Sequence, residues 1–561
     1  MNDESDLEGF APWLVIFITA IGAALRVYML ASKGMWLDET FSVWLASHPV
    51  GEMLQWTVRI DQHPPLYYLL LHSWISRYGD DPYSVRMLSV LFGTATIPVM
   101  YLIGRRISGW MVGLFAALLL AFSPFNIRFA QETRMYTLLA FNTAVAIYAL
   151  VRLLTDSRAA MPIGSQFRAY LQAWRAAPSV EPKADGDFSY RDEEGSQSGW
   201  RALRSRYRQL PLRAIETDLA WAALIVFTAA TLLTHNTAVL FLLAINVFVI
   251  GLILLQKGKK TESLSTLQPP LLGNWIKAQI AIFLLWSPWL IPFIQQSSRV
   301  YQEFWVPKPT GEMVLHFLRS FLNETSPDFA ARTWYLWLLY IVVLGLGLVH
   351  FRKNISRFLF LATLFAVPFL GELFVSIWRP IFLYRTLLPI TIPLLLVLAA
   401  GIVQLRFRLL MVLLLGFFVT NNFSSTGDYY RWARKEDWSN PAGFVANFAE
   451  DGDLILFNAG WVQIPFDYYF EEYEDLYSIQ VEKHGVPEDM FASGVLEPKM
   501  TENDIPELLS LLNGRKRVWL VYSHNDYTDP EGLIPQTIAS KMKLVQKKEY
   551  YGVQLQWYEA P

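Results

Sequence analysis

The sequence predicts a polytopic α-helical membrane protein that ends in a soluble α/β domain. Three observations predict it. Hydrophobic residues make up 53% of the chain against 17% charged, and mean hydropathy is +0.28, outside the range of soluble globular domains. Apolar runs of about 20 residues, the length that crosses a bilayer, recur as far as residue 423. From Ser425 onward the composition turns polar, with strand-like and helix-like stretches in alternation.

The composition also excludes function classes. A net charge of -2 gives no bulk electrostatic case for nucleic acid as a partner. Cysteine is absent, which removes disulfides, thiolate nucleophiles and Cys-ligated metals. The 21 Trp, 26 Tyr and 37 Phe suit membrane interfaces, where aromatic side chains concentrate. The N-terminal segment is acidic and lacks a basic n-region and a small-residue cleavage site, so the first apolar segment is expected to be a retained span.

The expected spans lie at 11–31, 85–105, 108–125, 133–153, 216–235, 237–256, 273–294, 333–351, 355–377, 381–402 and 406–423, eleven in all. Leu66–Ile75 is apolar but short and follows Pro64-Pro65, so it reads as an interfacial or re-entrant helix. With the N-terminus inside, every inner loop is basic: Arg105-Arg106, the cluster from Arg201 to Arg213, Lys257-Lys259-Lys260, Arg352-Lys353 and Arg406-Arg408. The same topology gathers Asp38, Glu39, Asp61, His63, Arg86, Glu132, Arg134, His235, Asn236, Arg379 and Arg385 on the outer face, although none of them was used to set it.

The domain expected in the membrane spans 1–424. It has a first outer loop at 33–84, a long Arg-rich cytosolic loop at 155–215, and an outer loop at 295–332 that can cover a site. The domain at 425–561 has strand-like runs at 452–457 and 517–522, a helix near Asn503–Leu512, and one or two strands at Lys543–Tyr558. It carries no GxGxxG or GxxxxGK[ST], so no nucleotide site is assigned, and its expected role is to shape acceptor choice.

The candidate chemistry starts at Trp36-Leu37-Asp38-Glu39. Leu37, Phe41, Trp44, Leu45 and His48 fall at helical spacing, which predicts an amphipathic helix with Asp38 at its start. Asp38 is then either an N-cap or a functional carboxylate. Glu39, one residue on, points elsewhere, so the pair divides into one catalytic and one structural group. In Asp61-Gln62-His63-Pro64-Pro65 the prolines restrict the backbone and aim His63, or merely introduce the helix that follows. Glu132 reads as a second functional carboxylate or as a favourable charge in a first helical turn. Arg379 fits an interfacial, snorkelling position. Arg385 falls deeper in the expected span, where a cation wants an anion such as a lipid phosphate. No HExxH or paired-His spacing occurs. Asp38 and Glu132 are the carboxylates that can share a divalent cation, and the residues require no cofactor.

In this order the motifs Leu25-Arg26, Trp36-Leu37-Asp38-Glu39, His63-Pro64-Pro65-Leu66-Tyr67-Tyr68 and Ser84-Val85-Arg86-Met87-Leu88-Ser89 resemble the GT-C glycosyltransferases. Ser123-Pro124-Phe125, Gln131-Glu132-Thr133-Arg134-Met135-Tyr136 and Pro380–Arg385 continue the likeness, which covers about 11–425 and is nearest to the bacterial protein O-mannosyltransferase and aminoarabinose-transferase type (dolichyl-phosphate-mannose-protein mannosyltransferase-like). Lys435-Glu436-Asp437-Trp438 with Gly452-Asp453 resembles the extracytoplasmic domain of some bacterial members. The resemblance implies a plasma (inner) membrane enzyme that moves a sugar from a polyprenyl-phosphate donor to a protein, lipid or glycan acceptor outside the cytoplasm. It places the acidic positions at Asp38 and Glu132. In the aminoarabinose transferases a lysine precedes Pro-Pro, where this chain has His63.

Phosphate is a good leaving group that needs cations to hold its charge, here Arg385, Arg134, His63 and Arg379. The acceptor hydroxyl needs a base, Asp38, and one base opposite the leaving phosphate predicts inversion. Glu39, Asp61, Arg86, Tyr136 and His235 are expected to bind substrate or support the site. The competing readings are a flippase for polyprenyl-linked sugar, which would want mid-membrane charges and internal repeats, and a non-catalytic scaffold.

Overall fold

The structure, a computed structural model, describes residues 2–176, 215–256, 267–299, 306–323, 334–352, 354–405, 407–495 and 498–561. The arginines expected between 201 and 213, the lysines at 257–260, Lys353, Arg406 and the middle of the 295–332 loop lie outside these residues.

Each of the eleven expected spans holds a helix, but not all have span length. Seven helices among the described residues are long and apolar enough to cross a membrane: Glu8–Val27, Pro82–Ser108, Tyr136–Thr155, Asn236–Leu255, Leu272–Ser298, Ile355–Val375 and Arg408–Trp432. A bent pair, Trp110–Ala121 and Pro124–Ala130, makes an eighth if counted as one. Glu216–Leu232, Leu336–Phe351 and Leu388–Val403 are shorter. The protein is a multi-pass membrane protein. Leu66–Tyr78 is a separate 13-residue helix, too short to cross.

The bent pair shows how sequence sets the site. Pro124 removes a backbone donor and starts a new helix, which Ser123 caps by accepting the Asn126 N–H at 3.4 Å, and the axis turns by 57°. The break leaves the carbonyls at the end of Trp110–Ala121 only partly matched, that of Leu120 by the Ser123 N–H at 3.3 Å. Arg26, fully buried, donates to the carbonyls of Ala121 at 3.1 Å and Leu120 at 3.2 Å. Gln131 donates to the carbonyls of Arg26 and Tyr28 at 2.9 and 2.8 Å. Arg26 and Gln131 therefore fix the turn that carries Glu132 and Arg134. Elsewhere Gly104 packs directly on Gly113 where their helices cross, a contact that a side chain would block.

The basic ends meet away from this turn. Arg105 pairs with Glu8 at 2.9 Å, Arg152 with Glu216 at 2.7 Å, and Ser108 bonds His350 at 2.7 Å.

The segment expected as a span from residue 381 begins differently. Residues 379–387 are irregular, with a 3₁₀ turn at Leu388–Ile390 before the Thr391–Val403 helix. Pro380 and Pro389 each remove a helix donor. Arg385 thus lies in a loop, not inside a span.

The last membrane helix, Arg408–Trp432, runs past Ser425. The C-terminal sheet follows, with β1 (Leu454–Phe457), β2 (Glu482–Gly485), β3 (Arg517–Tyr522), β4 (Lys543–Tyr550) and β5 (Val553–Glu559) in the order β2-β1-β3-β5-β4. β1 pairs parallel with β2 and β3, and β5 runs antiparallel to β3 and β4. Helices Gly460–Tyr477 and Ile505–Leu512 form the crossovers around β2. β1 and β3 are almost wholly buried, whereas β4 is an exposed edge bearing Lys543, Lys547 and Lys548. The sheet is not a free unit. Trp438, Phe457, Val462 and Trp519 share one apolar cluster with Phe41, Tyr68, Phe129 and Phe382.

Candidate functional site

A cavity of about 340 Å³ opens where the first loop, the turn after Ala130, the irregular 379–387 segment and the C-terminal domain meet. Asp38, His63, Arg134, Tyr136, His235, Arg379 and Arg385 line it. One wall is apolar, built from Val239, Leu240, Phe293, Val375, Ile381 and Leu383. Trp461 of the C-terminal domain also reaches it.

Asp38 sits in the first turn of the Leu37–Ser47 helix, but the cap position is Trp36 and no side chain caps it. The N-cap reading of Asp38 therefore fails. Its carboxylate instead meets two guanidiniums, accepting from Arg385 Nη1 at 2.9 Å and lying 3.9 Å from Arg134 Nε. Arg134 also donates to the Asp38 carbonyl at 3.1 Å and to Ser42 Oγ at 3.0 Å. Burial opposes the charge on Asp38, but Arg134 and Arg385, with His63 and His524, hold its carboxyl below the usual carboxylate range. Arg385 also lies 5.9 Å from the Trp36 ring and 5.8 Å from the Tyr136 ring.

His63 has its Nδ1 at 2.9 Å from Asp61 Oδ1, and its ring is 5.0 Å from that of His235. The carboxylate holds the Nδ1 proton, which leaves Nε2 as the nitrogen free to face a ligand. Asp61 is buried behind it. His235 Nδ1 accepts the Thr237 N–H at 3.2 Å, so the neutral ring carries its proton on Nε2.

Glu39 has different surroundings. It is fully buried and accepts from Arg86 Nε and Nη2 at 2.8 Å each, Lys435 Nζ at 2.7 Å and the Thr133 N–H at 2.8 Å. Burial alone would raise its pKa, but Arg86 and Lys435 bring it down to about 2. Arg86 further donates to the carbonyls of Leu30, Lys33 and Gly34, so the pair shapes the first loop from behind the cavity.

The family model for dolichyl-phosphate-mannose-protein mannosyltransferase matches residues 62–165. No curated protein sequence matches the chain. ArnT from Cupriavidus metallidurans in the apo state is 11% identical, with 98% of each chain covered and a TM-score of 0.56. The same protein bound to undecaprenyl phosphate is 12% identical, with 97% of each chain covered and a TM-score of 0.52. The chain shares the fold of ArnT along nearly its whole length. The fold class expected from the motifs is thus the one observed.

On this scaffold the expected site residues divide into two groups. Seven line the cavity, and Glu39, Asp61, Arg86 and Glu132 do not. Glu132 is buried, 3.8 Å from Arg128, and its burial pushes its carboxyl up. One sequence expectation changes. Arg385 is not a cation awaiting an anion, because Asp38 already pairs with it. Glu132 does not line the cavity that Asp38 lines, and among the described residues no three His, Asp or Glu side chains gather as a metal site. Arg379 donates to the Ser297 carbonyl at 2.8 Å while it lines the cavity.

Sequence reading missed the contribution of the C-terminal domain. Lys435 reaches Glu39, Glu436 Oε2 accepts the Leu37 N–H at 3.1 Å, Trp461 lines the cavity, and His524 acts on Asp38 through its charge. The signal for Lys435 and Glu436 was their charge just past the last apolar helix. Trp461 and His524 gave none, since their proximity arises only from the sheet topology.

Proposed function

We propose that the protein transfers a sugar from a polyprenyl-phosphate donor to an acceptor on the extracytoplasmic side of the plasma membrane, with inversion at the anomeric carbon. The observation that carries this reading is the cavity itself. It joins a carboxylate, two arginines and an apolar wall, which suits a substrate with a reacting hydroxyl, a phosphate and a lipid tail. The undecaprenyl phosphate bound to ArnT, a protein of the same fold, supports it.

In this reading the tail lies along Val239, Leu240 and Phe293, and Arg385 and Arg134 receive the phosphate, helped by His63 and Arg379. Asp38 takes the proton from the acceptor hydroxyl, whose oxygen forms the new bond to the anomeric carbon as the bond to phosphate breaks. The electron pair and charge leave with the polyprenyl phosphate, onto the guanidiniums. Asp38 is the sole carboxylate among the described lining residues, so a second one does not stand ready as a nucleophile, which favours single displacement. Glu132 supports the site through its field on Arg385 and Lys435.

A flippase or a scaffold is not favoured, since neither needs a carboxylate held between two phosphate-sized cations. The test is incubation of the purified protein with a panel of polyprenyl-phosphate sugars, measuring release of polyprenyl phosphate. Release that depends on Asp38 is expected. A protein that binds undecaprenyl phosphate yet releases none from any donor, with or without acceptor extract, would overturn the assignment.

A further inference from the structure

One buried acid has no part in the transfer described above. Glu372 lies in the last turn of the membrane helix Ile355–Val375 and is 1% exposed. Among the described residues no cation pairs with it. An ionisable side chain at membrane depth is costly and calls for a partner. The partner here is Thr386. Its Oγ1 lies 2.8 Å from each Glu372 oxygen and 2.7 Å from the Leu383 carbonyl oxygen. A hydroxyl has one proton and cannot give it to three acceptors. The set closes when the carboxyl holds a proton of its own. The acid then donates to Thr386 Oγ1, which donates to the Leu383 carbonyl.

Thr386 follows Arg385 in the irregular 379–387 segment. That segment belongs to no helix or sheet, so its path depends on the groups around it. Two of those groups stand one turn apart on the same helical face. Ser376 Oγ accepts the Ile381 N–H at 3.0 Å near the start of the segment, and Glu372 holds Thr386 near its end. Thr386 is tied back to the helix, while Arg385 beside it reaches forward to Asp38 at 2.9 Å. Apolar packing also acts on the segment. Phe382 stacks on Phe317 with ring centroids 4.8 Å apart and meets Phe369 edge-on at 5.5 Å. That packing fixes the middle of the segment, whereas the Thr386 tie fixes the neighbour of Arg385.

We propose that Glu372 is a positioning residue for the donor phosphate, and that its bond to Thr386 sets the backbone from which Arg385 reaches into the cavity. This rests on the phosphate role given to Arg385 above. Glu372 does not itself line the cavity, so it acts through Arg385. The role needs a side chain of this length that offers both a donor and an acceptor. Glutamine meets that need, and alanine does not.

The experiment titrates the full-length protein in nanodiscs with undecaprenyl phosphate. The wild type is compared with Glu372→Ala, Glu372→Gln, Thr386→Val, Arg385→Ala and the double variant Glu372→Ala with Arg385→Ala, each checked for its melting temperature. Folded Glu372→Ala is expected to bind the lipid about tenfold more weakly than the wild type, the scale of one buried hydrogen bond. Glu372→Gln should recover most of that loss. Thr386→Val removes the hydroxyl and keeps the branched shape, so it should repeat the loss, and it carries the comparison if Glu372→Ala does not fold. The double variant should bind no more weakly than Arg385→Ala alone. Wild-type affinity in folded Glu372→Ala or Thr386→Val would overturn the role and leave Phe382 packing as what holds the segment. A Gln variant as weak as the Ala variant, or additive losses in the double variant, would overturn it too. If the wild type does not bind the lipid, or Arg385→Ala binds it equally well, the phosphate reading falls and this role falls with it.

Discussion

Arg385 Nη1 lies 2.9 Å from Asp38 Oδ2, so the proposed base and the proposed phosphate ligand are bound to each other. The two roles are compatible only if the donor phosphate draws the guanidinium away from the carboxylate. Donor binding then weakens the field that keeps Asp38 acidic and makes it a better base for the acceptor hydroxyl.

The pH dependence follows with a definite sign. Asp38 must be ionised to act, so activity falls as pH drops through its pKa. In the free enzyme that pKa is depressed, and the acid limb of kcat/KM should lie below the usual carboxylate range. The acid limb of kcat reports the donor complex and should lie higher. Coincident limbs would show that Arg385 stays on Asp38.

Asp38→Asn should lower turnover by about 10²–10⁴. Since Asp38 caps no helix, no cap is lost. Removing a carboxylate that competes for the arginines should leave undecaprenyl phosphate binding as tight as in the wild type or tighter. Weaker binding in the Asn variant would mean that the carboxylate positions Arg385 instead of masking it.

Arg385→Ala should weaken undecaprenyl phosphate binding, and Arg385→Lys should restore only part of it because the planar fork is lost. Titration of the three proteins with the lipid checks the order. Unchanged affinity in the Ala variant would remove the phosphate role.

Glu39→Gln should damage stability more than chemistry. It leaves Arg86 and Lys435 buried with a neutral partner, a loss of about 3–5 kcal/mol by analogy with broken buried pairs. The wild type should show the same linkage. With the folded pKa near 2 against an ordinary 4.5, Glu39 stabilises the protein fully above pH 4.5 and loses that contribution as pH falls toward 2. Melting temperatures of both proteins between pH 6 and pH 2.5 test it, and a difference that does not shrink on acidification would count against it.

Deleting the C-terminal domain should not leave a working membrane half. Trp438, Phe457 and Trp519 share a core with Phe41 and Phe129, and Lys435 neutralises Glu39. A chain ending at Trp432 should aggregate or lose donor binding, measured by size-exclusion profile and lipid titration. A monodisperse, lipid-binding 1–432 would separate the two parts after all.

The sequence by itself determined the class of this protein, because bilayer thickness and the 3.6-residue helical period act on local composition alone. It also marked the ionisable residues that line the cavity, since a charge beside an apolar run needs a reason that can be read locally. What needed tertiary structure were the partnerships. Asp38 and Arg385 are 347 positions apart, Glu39 and Lys435 are 396 apart, and no spacing rule connects them. The expected span at 381–402 failed at its first turn because two prolines, at 380 and 389, open a loop whose apolar side chains still resemble a helix in composition. Trp461 and His524 were illegible for the same physical reason. They meet only because β1 and β3 pair side by side, and strand pairing is a contact between distant segments that neither segment encodes alone.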